Sequence, residues 1–224
     1  AAWRMASKSA AECAHAFHQA NYHKQIVNRL LEPFQMMRTV VTATEFENWF
    51  ALRCHQDAQP EIRLLATMMK EARQKSRPRV LDSEEWHMPF FEEGFWSPWN
   101  KDHQFGLEDA LKISASCCAQ ASFRKQDQSI EKARNIWERL VESRPAHFSP
   151  FEHPARPMRK AIGSQISDLN EELGTTHIDA KGNIWSGNFR GFVQHRQILQ
   201  AQIGCAAMTG EPLAKNPLDH LERW

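Results

Sequence analysis

The stretch from Lys75 to Gly106 constrains this chain more than any other, because it is dense in Pro, Trp, Phe and charge yet has no helical or strand period. Phe90, Phe91, Phe95, Phe105, Trp86, Trp96 and Trp99 all fall within it. Segments that stay disordered are poor in such residues, and a long structureless loop is uncommon in a compact domain. The stretch is therefore read as an ordered connection between two halves. The chain divides into a helical block over 1–75, the connection over 76–106 and a second block over 107–224. At 224 residues it is one large domain or two small ones, with enough length to bury a sizeable core.

The periodicity on either side is mostly helical. Ala1 to Gln19 carries alanine and spaced apolar residues without a breaker and reads as a helix. Lys24 to Glu32 continues as a short amphipathic helix stopped by Pro33. Met36 to Val41 is apolar and partly β-branched, a buried strand or a helical link. Thr44 followed by Glu47 forms a capping box that opens a helix, and a second helix runs from near Asp57 to about Arg73 with Pro60 in its first turn. Leu107 to Lys112 is helix-like and leads into the small-residue, cysteine-rich run Ile113–Phe123. In Ser129–Glu142 the residues Ile130, Ala133, Ile136, Trp137 and Leu140 recur at helical spacing. Ser149-Pro150-Phe151-Glu152 has the residues of a capped helix start. Pro154 to Pro157 breaks the pattern, Thr175 to Ser186 is a Gly-punctuated excursion, Asn188 to Arg196 has strand character, and a helix follows from about Gln197 to Met208. The expected class is α+β, mainly helical with a small antiparallel sheet.

Composition excludes several functions. A formal net charge of +1 creates no global field for nucleic acid or anionic membrane, so any anionic ligand must be held by local arginines. No run approaches a membrane span and the start carries no signal-peptide pattern. Five cysteines, Cys13, Cys54, Cys117, Cys118 and Cys205, are odd in number and lack C-x-x-C spacing. That argues for a reducing, cytoplasmic setting. Because the chain opens at Ala1 inside a helical pattern, we expect a preceding N-terminal portion.

Three stretches are chemically suggestive. Asn48 and Arg53 lie five apart on one helix, close to a shared flank. Arg53 either caps the helix end through the last carbonyls or reaches into a cleft. His147-Phe148-Ser149-Pro150-Phe151-Glu152-His153 is a helix start whose free N–H groups suit a phosphate; a metal reading of His147, Glu152 and His153 is weaker, because the cap occupies Glu152 and adjacent residues diverge. In Arg190-Gly191-Phe192-Val193-Gln194-His195-Arg196, a strand would turn both arginines and Gln194 one way and His195 the other. Such a face holds a phosphate or a flavin edge, or is a polar sheet face beside solvent.

These residues resemble those of the flavin-dependent thymidylate synthases. His23 to Ala66 looks like the family's C-terminal signature: Asn28-Arg29-Leu30-Leu31-Glu32-Pro33, a helix with Asn48 and Leu52-Arg53, then Ala58-Gln59-Pro60-Glu61-Ile62. Cys118 to His153 looks like its N-terminal block, with Ala119-Gln120-Ala121-Ser122-Phe123, a charged helix, and His147-x-Ser149-Pro150-Phe151-Glu152-His153. Asn188 to Arg196 resembles the strand ending in Arg-His-Arg. The blocks stand in swapped order, similar to a permuted version found among bacteriophages, and two long spaced matches are more specific than a lone motif.

The resemblance implies that Ser122, Ser149, Glu152 and Asn48 contact FAD, that His195 and Arg196 lie near the flavin, and that Arg29 and Arg53 hold dUMP. Arg53 would act catalytically at the pyrimidine, favouring ionisation of ring N3. It implies reductive methylation of dUMP to dTMP, with carbon from methylenetetrahydrofolate and reducing power from NADPH through FAD, no metal, a homotetramer, and a bacterial or phage-infected host cytoplasm. There are departures. Thr42-Ala43-Thr44 stands where the family has Asn-Ala-Arg, Gln194 replaces the first Arg of Arg-His-Arg, and the family's phosphate-cradling loop does not follow Arg196. In the permuted form that loop lies upstream of Ala1, so residues 1–224 alone are expected not to make thymidylate. Two other readings stay open: a phage deoxyuridylate hydroxymethylase-like enzyme on the same scaffold, and a non-catalytic flavin- or nucleotide-binding or structural subunit.

Overall fold

The computed structural model describes residues 1–123, 125–143, 145–159 and 173–203; the end of the expected 197–208 helix, the polar tail and Cys205 lie outside them. The architecture is mixed α+β, with helices and small antiparallel sheets. The chain forms two compact units, Ala1–Thr39 and the remainder from Val40 on. Among the described residues, no helix is long and apolar enough to cross a membrane.

In the first unit, α1 (Ala2–Gln19) and α2 (Lys24–Arg29) pack on each other, with Ala14 and Val27 buried. Asn21 takes the left-handed conformation at φ 60° to turn the chain, and the His23 ring caps α2 by accepting from Gln25 N–H. Arg29 is the last helical residue of α2, and Pro33 sits in a 3-10 turn, Glu32–Phe34. Met36 to Val41 is neither strand nor helix; it pairs with no strand, and Met36 and Met37 are exposed.

The second unit begins with α3 (Glu47–Arg53) and α4 (Pro60–Lys75). The expected cap at Thr44 is not made. The helix opens at Glu47, whose own carboxylate accepts from Phe46 N–H, while the Thr44 hydroxyl accepts from Arg190 N–H, 146 residues away. Arg73 ties α4 to α3, its guanidinium lying over the Phe46 and Phe50 rings and meeting Glu47.

The aromatic stretch supplies β1 (Trp86–His87) and β2 (Phe95–Trp96). Trp86, Met88 and Phe91 enter a core with Leu111, Ile113, Cys117 and Ala133. The run expected as two pieces is one helix, α5 (Leu107–Ala119), buried almost continuously from Ala110 to Cys118; its small residues let it be covered on several sides. Ser129 caps α6 (Ile130–Trp137) by accepting from Lys132 N–H, and α6 runs on as a π-turn through Glu142. Ser149–Glu152 is a single 3-10 turn in which Ser149 makes no cap bond, which corrects the expected capped helix.

The Pro-rich break forms β3 (Ala155–Pro157), and the Gly-punctuated excursion forms a hairpin of β4 (His177–Ile178) and β5 (Ile184–Ser186). The expected single strand over 188–196 is divided at Gly191, φ +71°, into β6 (Phe189–Arg190) and β7 (Phe192–Gln194). The two halves join different sheets, ordered β2-β1-β3-β7 and β4-β5-β6. His195 and Arg196 then belong to a helix, α7 (His195–Ile203), so the expected alternation of Arg190, Phe192, Gln194 and Arg196 on one face does not occur. A second core joins Ala115, Val141, Phe148, Phe151 and Leu199.

Met88 is fully buried in the first core. Met88→Ala is expected to lower stability by about 2–5 kcal/mol through lost burial and the cavity left behind, measured by urea denaturation; a loss below about 1 kcal/mol would mean that the aromatic hairpin is not part of the core.

Candidate functional site

Pro150 presets the backbone of the Ser149–Glu152 turn, and Phe151 nails it down. The Phe151 ring packs edge-on against Trp137 at 5.4 Å and His195 at 5.8 Å between centroids. Glu152 is thereby fixed, half-buried, at the mouth of β3. Across the sheet, β7 pairs with β3 in the register Ala155↔Gln194. The ladder runs one residue further, with His195 N–H donating to Pro154 C=O at 2.9 Å, before the chain turns into α7. This puts Arg196 beside the turn, where its Nη1 donates to Glu152 Oε2 at 2.9 Å. At 35% and 42% side-chain exposure, such a pair contributes at most about 1 kcal/mol; its effect is to orient the guanidinium.

His195 lies edge-on to both Trp86 and Phe151. Burial lowers its pKa to about 4, so near neutral pH the ring is uncharged. Its Nδ1 is buried without a hydrogen-bond partner among the described residues, and so is Arg196 Nε. Unmet buried polar atoms are uncommon, and two on consecutive residues mark this spot as one where a polar ligand atom would be stabilising.

Three further segments converge on it. His153 meets the Thr42 hydroxyl through Nδ1 at 3.1 Å. His87 sits opposite Ala155 on β1. Burial, and then the charge of His153, hold His87 below its ordinary pKa; burial also lowers His153, against an opposing pull from Glu152. The segment Thr42–Glu45 lies along β6: Asn188 Nδ2 donates to Thr42 C=O at 3.3 Å, Arg190 N–H to Thr44 Oγ1 at 2.8 Å, and Arg190 pairs with Glu45. Gln194, 2% exposed, is the hub. Its Nε2 donates to Asn188 Oδ1 at 2.7 Å and to Glu152 C=O at 3.3 Å.

Of the residues expected from sequence, the structure brings together Glu152, His195 and Arg196, with Ser149 exposed at the start of the same turn. Asn48 and Arg53 are exposed on α3 and Ser122 is exposed in the turn after α5. None of the three has a side-chain hydrogen bond or ion pair among the described residues. Arg29, in the first unit, pairs with Glu32 at 3.5 Å. His147 is exposed, and no group of three or more His, Cys, Asp or Glu among the described residues is arranged to hold a metal ion. Burial pushes the Cys117 thiol up to about 11 and the Cys118 thiol up to about 12, helped for Cys118 by Cys117 and Glu152; neither is a ready nucleophile. Sequence reasoning missed His87, for which spacing carries no signal. It noticed Thr42 and Gln194 only as departures, not Thr42 as a bond between the two blocks or Gln194 as the hub within the second.

Compared with protein-family profiles, with curated proteins and with solved structures, the chain matches none.

The folded protein holds His195 at about 4 against 6.5 for an ordinary histidine. Between those values the unfolded chain binds a proton that the folded chain refuses, so stability falls as pH drops from 6.5 to about 4. The full drop corresponds to roughly 3 kcal/mol. Melting temperatures across that window are expected to fall more steeply for the wild type than for His195→Gln. Parallel curves would mean that His195 titrates alike in both states.

Proposed function

We propose that the protein is a flavin-dependent thymidylate synthase, methylating dUMP reductively with methylenetetrahydrofolate and NADPH, and that it has that family's fold. One observation carries the reading. The two blocks that resemble the family stand in swapped order along the chain, yet Thr42–Glu45 of the first is bonded to His153, Asn188 and Arg190 of the second, across separations of 111 and 146 residues. A permuted chain that keeps one site must rebuild that junction in space.

The donor set beside Glu152 fits FAD. Arg196 is held by its pair with Glu152, and its buried Nε has a hydrogen to give. His195 is neutral, so it would meet the flavin as a hydrogen-bonding ring rather than as a cation. Ser149, Ser122 and Asn48 would add neutral contacts. When bound and reduced, FAD supplies the hydride. The chain's own part is to position ligands and stabilise charge. Arg53 would hold dUMP, favouring the ionised pyrimidine. The unreactive thiols of Cys117 and Cys118 accord with chemistry that needs no enzymic sulfur nucleophile.

Protein incubated with FAD and desalted is expected to stay yellow, whereas residues 1–224 alone are expected not to release tritium from labelled dUMP with NADPH and methylenetetrahydrofolate, because the phosphate-cradling loop is not among them. Protein that stays colourless would sink the proposal, and tritium release by residues 1–224 would mean that the loop is dispensable or replaced within them. Arg53→Ala is expected to weaken dUMP binding by roughly 1.5–3 kcal/mol, the scale of a charged hydrogen bond. Because Arg53 is exposed and unpaired among the described residues, stability should shift by no more than about 0.5 kcal/mol. A sharp fall in melting temperature with unchanged dUMP affinity would make Arg53 a helix cap instead.

A further inference from the structure

We propose that Gln194 is a positioning residue: its buried side-chain amide sets where the Glu152–Arg196 pair stands relative to the Thr42–Thr44 strap, so that both face one ligand. The inference rests on the FAD reading for the identity of that ligand, but its geometry does not.

Gln194 closes β7 one residue before the helix that carries His195 and Arg196. Its backbone is locked on one side, since Ser186 Oγ accepts from Gln194 N–H at 3.1 Å and donates to Gly174 C=O at 2.6 Å. Its side chain reaches the other way and divides one NH2 group between two acceptors. Glu152 C=O belongs to the turn whose carboxylate holds Arg196; Asn188 Oδ1 belongs to the residue whose own NH2 donates to Thr42 C=O. A single amide thus joins the anionic turn, the β6 edge and the strap. Gly187 makes room for it, because a Cβ at that position, φ +59°, would collide with Gln194 Oε1.

The chemistry requires a neutral donor. Both acceptors, the Glu152 backbone C=O and Asn188 Oδ1, are oxygens, so a glutamate would set a buried carboxylate against two of them. Methionine fills similar volume but leaves both without their donor, at a site where small displacements matter. Thr42 and Gln194 are also two of the positions at which this chain departs from the sequence pattern it resembles, and here they belong to one relay.

The test compares three variants of the full chain. Gln194→Met removes the relay, Asn188→Ala breaks it from an exposed residue with the core untouched, and Ser186→Ala removes one buried bond to the Gln194 backbone and one to Gly174 while sparing the Gln194 side chain. Binding of FAD is followed by flavin fluorescence, and the Arg196 Nε–H signal of the free protein by NMR. Gln194→Met is expected to weaken FAD binding roughly tenfold or more, the scale of a misplaced binding group, and to shift or abolish the Arg196 Nε–H signal. Asn188→Ala should act in the same direction but less. Ser186→Ala should lower the melting temperature yet leave both readouts near wild type. If the Arg196 signal is unchanged in Gln194→Met and Asn188→Ala, or if all three variants lose FAD in proportion to melting temperature, Gln194 is only a structural residue. Wild-type protein that binds no FAD overturns the cofactor reading alone; the Arg196 signal of the free variants then decides the positioning role.

Discussion

Where β7 meets β3, backbone pairing continues past the end of the strand to His195 N–H and Pro154 C=O before the chain turns into α7. That extra bond is the constraint on which the site depends. It sets the start of the helix one residue after Gln194, which brings Arg196 to Glu152 and drives the His195 ring between Trp86 and Phe151. A helix beginning one turn later would leave both side chains on a strand, pointing to opposite faces.

The same constraint makes the site electrically sparse. Histidines 87, 153 and 195 all have lowered pKa values with burial as the first cause. Near neutrality the cluster therefore carries mainly the opposed charges of Glu152 and Arg196, and a ligand there meets one oriented ion pair among neutral polar groups. Leaving His195 Nδ1 and Arg196 Nε without partners among the described residues costs stability, and such costs concentrate where a site is shaped for something other than its own chain.

Much of the helical layout was legible because its signals are local. Ser129 caps α6 as its position suggests, Pro60 opens α4, and Pro33 falls in the turn after α2. The caps read at Thr44 and Ser149 failed for a common reason. Thr44 Oγ1 is engaged by Arg190 N–H and the Glu152 carboxylate by Arg196, so distant partners displaced the local box. The strand over 188–196 failed differently. Gly191 adopts positive φ, and the two halves found partners in different sheets.

For the candidate site, the sequence by itself determined the inventory: Glu152 within an aromatic turn, His195-Arg196 after a β-branched and aromatic run, and the absence of any C-x-x-C metal spacing. Side-chain type and near-neighbour spacing suffice for that. Only the tertiary structure decided that Glu152 and Arg196 form a pair, that His195 is neutral, and that Gln194 joins segments whose residues stand 42 and 6 positions away. Pairing, burial and pKa are properties of groups brought together from afar, and no local pattern encodes the distance between them.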